Sequence, residues 1–324
     1  MNSIKKELNI LLSFDDNDWN YTRHAAVTLL SLLETNKNNK IKIRILSWNL
    51  SQENINELKR IVWLYNQEIN FIIRDDIIPE KLKKVIVNHR QLTRWARYRL
   101  FFPKYIKWID RILYLDCDIL VMKDISEIYN MDMKWKAIAG YLDIIILHYK
   151  NKAFWLKNYI NSWVLLFDVK NYDMGKINAD RMKEINEKYW KYFDWCDQDK
   201  INLIFKDDII VGKEWMNYQI RNEYFTAWVD KAEIIHCLQK PYVKNSSLPK
   251  KFIKLYNHYL SLTKWKWYPK KEAEVSYLRR YYYSLYAIWV RLWILIFWKN
   301  FMKKLNIFTF LCREKFKNIF STRK

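Results

Sequence analysis

Asp116 and Asp118 stand two apart at the end of the apolar run Ile112-Leu113-Tyr114-Leu115. If that run is a strand, carboxylates at i and i+2 leave it on the same side. Two like charges aimed into one crevice repel unless a cation lies between them. Oxygen donors of this kind suit a hard dication, Mg²⁺ or Mn²⁺. His236 follows a second apolar stretch, Ile234-Ile235. An imidazole added to two carboxylates can complete a mixed site that suits Mn²⁺ somewhat better than Mg²⁺, although a lone histidine so placed is usually a satisfied structural residue. The D-x-D spacing is weak by itself, since it occurs at Asp16/Asp18, Asp116/Asp118 and Asp197/Asp199. The strand leading into the middle copy singles it out.

The elements that must hold these residues follow from hydrophobic periodicity. Leu8–Phe14 reads as a buried strand; with Asp15 and Asp16 following at once, it is a first strand rather than a signal peptide. Tyr21–Thr35 has apolar residues at helical spacing, and Ile41–Trp48 alternates as a strand. Ser51 can cap a helix whose Ile55, Leu58, Ile61 and Val62 share one face, and Ile69–Ile73 is a third strand. Strand, helix, strand, helix, strand predicts a Rossmann-like, mostly parallel sheet flanked by helices, whose carboxyl edge faces the ligand crevice. Further strands are expected at Arg111–Leu115, Lys136–Leu142, Val164–Val169, Asp208–Val211 and Ala232–Ile235, with helices at Asp180–Lys191 and Asp197–Phe205. Asp197 could be the N-cap of that last helix. Asp143, after one strand, is a candidate for a substrate contact or a structural turn.

Composition bounds the partners. The chain has 324 residues, 51% hydrophobic, and carries 57 Lys plus Arg against 35 Asp plus Glu, a net +22 that calls for an anionic partner. Only 3 glycines are present, and neither G-x-G-x-x-G nor a Walker sequence occurs. Cys117, Cys196, Cys237 and Cys312 form no C-x-x-C pair, which excludes a zinc ribbon and fits a reducing compartment.

Six segments in order resemble glycosyltransferase family 8, which includes bacterial lipopolysaccharide glucosyl- and galactosyltransferases and the glycogenins. Tyr114-Leu115-Asp116-Cys117-Asp118 is similar to the family's Y-L-D-x-D, and Arg99 in Ala96-Arg97-Tyr98-Arg99-Leu100 falls on its nucleotide-sugar arginine. Asp15-Asp16-Asn17 matches the uridine-holding segment, and Asn161-Ser162-Trp163-Val164-Leu165-Leu166-Phe167-Asp168 the run that lines the donor sugar. Asp197-Gln198-Asp199-Lys200-Ile201-Asn202 is similar to D-Q-D-x-x-N, and His236 with Lys240-Pro241-Tyr242 resembles H-x-x-G-x-x-K-P-W.

The resemblance implies a GT-A fold over residues 1–263, a metal held by Asp116, Asp118 and His236, and UDP-glucose or UDP-galactose as donor. It further implies donor contacts from Ser13, Asp15, Asn17, Arg99, Asp116, Cys117, Asp118, Asn161 and Lys240. Asp197 would hold sugar hydroxyls, and Gln198 would lie near the anomeric carbon of a retaining transferase. In two places the chain departs from the pattern. Trp163 replaces a glycine, which narrows the donor site, and the His236 segment is two residues shorter and lacks its glycine.

From Lys264 to Lys324 there are 15 Lys/Arg and 3 Asp/Glu, so +12 of the +22 lies in the last 61 residues, beside Tyr281–Tyr283, Trp289, Trp293 and Trp298. No apolar run reaches the roughly 20 residues of a membrane-crossing helix. The tail, 264–324, is therefore expected to lie on an anionic membrane surface. The expected protein is a metal-dependent hexosyltransferase, cytoplasmic and peripheral to the inner membrane face. It would act on a glycan or glycolipid acceptor of the lipopolysaccharide or lipooligosaccharide core and bind no nucleic acid. The alternatives are a non-catalytic relative and a basic nucleic-acid-binding protein.

Overall fold

The computed structural model describes residues 7–14, 16, 21–47, 49–73, 82, 99–106, 108–143, 146–193, 196–220, 229–237 and 248–267. Asp15, Asn17, Lys240 and the tail beyond 267 lie outside the described residues.

The first sheet contains β1 (Glu7–Ser13), β2 (Lys40–Ser47), β3 (Glu68–Ile73), β4 (Arg111–Leu115), β6 (Ile138–Gly140), β7 (Val164–Asp168) and β8 (Ile209–Val211), in the order β3-β2-β1-β4-β7-β6-β8. β1 to β4 run parallel, and only β7 opposes its neighbours. A smaller sheet, β5-β10-β9, is built from β5 (Ile119–Val121), β9 (Asn217–Ile220) and β10 (Ile234–Cys237). The fold is thus mixed α/β with a mostly parallel central sheet, as the periodicity predicts.

Strands buried on both faces read as unbroken apolar runs, and the registers show why. Ile69, Ile43, Ile10, Leu113, Leu166, Ala139 and Ile210 pair in one row across the sheet and face one core. The alternate residues Leu11, Leu46, Tyr114, Leu165 and Phe167 face a second core on the other side. The first core is closed by α1 (Tyr21–Thr35) and α2 (Gln52–Trp63). Ser51 caps α2, its side chain accepting from the Asn54 N–H at 3.2 Å, and Ile55, Leu58, Ile61 and Val62 are buried together.

Smaller helices among the described residues include α3 (Ser126–Tyr129), α4 (Leu147–Phe154), α5 (Ala179–Tyr189) and α6 (Cys196–Ile204). A further helix, α7 (Lys250–Ser261), buries Phe252, Tyr256 and Tyr259 against the first core. Trp265, just beyond the expected boundary at 263, is 7% exposed and belongs to that core. Among the described residues no helix is long and apolar enough to cross a membrane.

Boundaries differ from the sequence reading where short strands meet loops. Lys136–Leu142 shrinks to Ile138–Gly140, and Ala232–Ile235 shifts to Ile234–Cys237. β5, β9, α3, α4 and α7 have no counterpart in that reading.

Candidate active site

Chain direction assembles the site at one edge. Ser13 ends β1 and Asp116 follows β4, both at carboxyl ends. Because β7 runs antiparallel, the residues that precede it, Asn161-Ser162-Trp163, arrive at the same edge. The Asp116 N–H donates to the Trp163 carbonyl at 2.9 Å, extending the β4–β7 ladder by one bond.

Asp116 and Asp118 come together in a way that strand alternation did not foresee. They lie in a turn through which the chain leaves the seven-stranded sheet and enters the three-stranded one as β5. β5 pairs antiparallel with β10, where His236 lies opposite Ile119. One ligand atom from each of Asp116, Asp118 and His236 falls within 4.8 Å of the others. His236 Nε2 is 3.2 Å from Asp118 Oδ1. Burial pushes the His236 imidazole down to about 4, and the attraction of Asp116 and Asp143 does not reverse it. The ring is therefore neutral near pH 7, the state a metal ligand requires.

α1 pins this turn from behind. Thr28 Oγ1 shares its proton between the Cys117 and Ile119 carbonyls, at 2.9 and 3.0 Å, and Ser31 Oγ accepts from the Val121 N–H at 3.0 Å. Cys117 is thus held by its main chain, with its thiol buried in the first core. Polar residues three apart within the apolar stretch Ala25–Leu33 were the available signal for Thr28 and Ser31.

Arg99 sits across the edge from the triad. It is 6% exposed, with Nη1 3.3 Å from Asp116 Oδ1 and Nε 3.3 Å from Asp197 Oδ2, and it donates to the Ser162 carbonyl. Burial works against its charge, but the Tyr114 oxygen, Asp116 and Asp197 more than offset this and raise its pKa. Tyr114 supports the arrangement, its ring 4.5 Å from the guanidinium and its hydroxyl donating to Asp116 Oδ1 at 2.5 Å. Among the described residues, Arg99 and a neutral imidazole sit with the carboxylates of Asp116, Asp118, Asp143 and Asp197 at this edge. The two-oxygen, one-nitrogen donor set of Asp116, Asp118 and His236 fits a hard dication.

Gln198, 1% exposed, is held at both ends of its amide. Oε1 accepts the Ser162 N–H at 3.0 Å, and Nε2 donates to Asp143 Oδ2 at 2.9 Å. Asp197 lies in the first turn of α6 beside Arg99. Asn161 is fully buried. Its amide donates to the Tyr141 carbonyl at 3.0 Å, while its oxygen accepts from the Trp163 N–H at 3.2 Å and from Asn217 Nδ2 at 3.1 Å. Ser13 is buried at the end of β1, and Asp16 accepts from the Thr22 N–H at the start of α1. The structure therefore brings Arg99, Asp116, Asp118, Asn161, Asp197, Gln198 and His236 into one neighbourhood. Asp143 joins it through Gln198.

Asp199 and Asn202 turn away from this neighbourhood. Asp199 forms a fully buried pair with Lys150 of α4, 2.9 Å apart, and accepts from the Tyr159 hydroxyl at 2.5 Å. Asn202 accepts the Ile160 N–H and donates to its carbonyl, both at 2.8 Å. These contacts tie α6 to the segment entering β7.

The model of glycosyl transferase family 8 matches residues 9–266. General stress protein A of Bacillus subtilis is 25% identical over 283 residues, spanning 81% of this chain and 96% of the relative. A lipopolysaccharide 1,2-glucosyltransferase of Escherichia coli is 27% identical, spanning 79% of each. Among solved structures, the galactosyltransferase LgtC with donor and acceptor sugar analogues superposes with a TM-score of 0.65 at 21% identity, covering 78% of this chain and 96% of that one. That likeness is one of fold.

Proposed function

The chain belongs to glycosyl transferase family 8, and from that premise we propose that it is a metal-dependent, retaining hexosyltransferase using UDP-glucose or UDP-galactose. The observation that carries this reading is the convergence of Asp116, Asp118 and neutral His236 beside Arg99, at the carboxyl edge of β1 and β4. Mn²⁺ or Mg²⁺ held there would bind the diphosphate of the donor and take up charge on departing UDP. Arg99, fixed by two acids and a carbonyl, adds a permanent positive charge that needs no reorganisation as the leaving phosphate develops its own.

Gln198 is a poor nucleophile, since a neutral amide carries no available charge. Pinned between the Ser162 N–H and Asp143, it presents a fixed dipole backed by a buried carboxylate. That combination favours oxocarbenium-like charge during front-face attack by the acceptor hydroxyl. Asp197, held by Arg99, would accept from sugar hydroxyls. Ser13, Asp15, Asn17, Asn161 and Lys240 complete the proposed donor contacts, with Cys117 contributing through its place in the turn.

The proposed acceptor is a membrane glycan of the lipopolysaccharide or lipooligosaccharide core, a reading supported by a relative named for that chemistry. The basic aromatic tail, 264–324, would hold the enzyme on the anionic inner face of the cytoplasmic membrane. The test is release of UDP from UDP-glucose and UDP-galactose, with and without Mn²⁺. Metal-dependent release with one donor, lost in Asp118→Asn, supports the proposal. No release from either donor by folded protein overturns it.

A further inference from the structure

A histidine that binds a metal through one ring nitrogen is ordinarily oriented by a hydrogen bond at the other, to a carboxylate, a carbonyl or water. His236 lacks that support. Nε2 faces Asp118 Oδ1 at 3.2 Å, whereas Nδ1 is buried with no hydrogen-bond partner among the described residues. The His side-chain torsion is broad and roughly two-fold, so the ring needs something else to keep Nε2, rather than a carbon edge, on the carboxylates.

An indole lies against it. The Trp163 ring centroid is 4.0 Å from that of His236, with the planes at 68°, an edge-to-face contact. Trp163 is itself fixed through its main chain. Its N–H donates to Asn161 Oδ1 at 3.2 Å, and its carbonyl accepts the Asp116 N–H at 2.9 Å. The residue covering one member of the triad is therefore bonded directly to the backbone of another.

We infer that Trp163 is a positioning residue for the cation site: its indole sets the rotation of the His236 imidazole that presents Nε2 to Asp116 and Asp118. The glycine that the family pattern has at this position could not do this. The tryptophan and the unpartnered Nδ1 account for each other, and Trp163 becomes part of the site rather than an obstruction in it. The inference rests on the metal-dependent reading above.

The test is equilibrium binding of Mn²⁺ to the full chain without donor, followed by loss of the free-ion EPR signal, alongside thermal melts by circular dichroism. The proteins are wild type, Trp163→Phe, Trp163→Leu, Trp163→Gly and Asp118→Asn. One site is expected in wild type, retained within about twofold in Trp163→Phe. It should be about tenfold weaker in Trp163→Gly and in Trp163→Leu, which fills the space without a π-face and serves if the glycine variant melts early. Wild-type affinity in Trp163→Leu or Trp163→Gly, with binding lost in Asp118→Asn, overturns the role of Trp163 and leaves the cation site standing. Equal weakening in Trp163→Phe overturns the aromatic argument. Binding in Asp118→Asn equal to wild type, or none in wild type, overturns the cation reading and this inference with it.

Discussion

The Asp116/Asp118 and Asp197/Asp199 pairs have the same spacing and opposite fates. Asp116 and Asp118 lie in a turn between two sheets, where the chain direction is free to bring both carboxylates to one point, within 4.8 Å of His236. Asp197 and Asp199 lie on a helix, where residues two apart do not face each other. One meets Arg99 at the site edge, and the other is consumed by Lys150 in the interior. Asp197 and Asp199 are each paired with a cation from a different element, whereas Asp116 and Asp118 bring their oxygens to one point beside an imidazole nitrogen, as a shared cation requires.

The largest effect that would sharpen this contrast is on turnover. Asp116→Asn and Asp118→Asn should each lower transfer at least about a thousandfold, roughly 4 kcal/mol, with little change in melting temperature. Steady-state kinetics with parallel melts would check both halves. The reverse pattern is expected for the interior pair. Lys150→Met leaves Asp199 buried without its cation, and should cost about 3–4 kcal/mol of stability in urea unfolding while the folded protein keeps its Mn²⁺ affinity. A Lys150→Met protein that unfolds like wild type would break the comparison.

Smaller effects test what holds the turn. Thr28→Val removes the hydroxyl that bridges the Cys117 and Ile119 carbonyls and should cost about 2 kcal/mol, with weaker Mn²⁺ binding beside it. The smallest concerns Glu233, just before β10. Burial pushes its carboxyl up to about 7, with Glu127 adding to the shift and Lys123 and Lys213 opposing it. The folded protein then holds a proton that the unfolded chain releases near its ordinary value of 4.5, so stability falls as pH rises between about 4.5 and 7. Glu233→Gln should therefore stabilise the protein by about 1–2 kcal/mol at pH 8 and by almost nothing at pH 4. Urea unfolding at both pH values would show it.

The central sheet was legible because β1 and β4 read as mostly apolar runs, β2 alternates as a strand does, and α1 and α2 carry helical stripes. β5 and β9 are only 3 and 4 residues long, and their pairing depends on β10, far along the chain, so no local pattern announces them. α7 did carry a signal, Phe252, Tyr256 and Tyr259 at helical spacing, but it lies in a lysine-rich stretch between the last motif and the tail, to which the sequence reading assigned no element. At the site, residue type marked the triad, whereas the partner of Asp199 could not be read. Lys150 becomes a buried counter-ion only once α4 and α6 are packed. The clamp on Gln198 is equally non-local, joining Asp143 and Ser162 from two different strand ends.

The most direct measurement is the anomalous scattering of manganese in crystals grown with Mn²⁺ and UDP. The account predicts a peak bounded by Asp116, Asp118 and His236, absent from crystals of Asp118→Asn. A peak elsewhere, or none in crystals of protein whose UDP release depends on Mn²⁺, would contradict it.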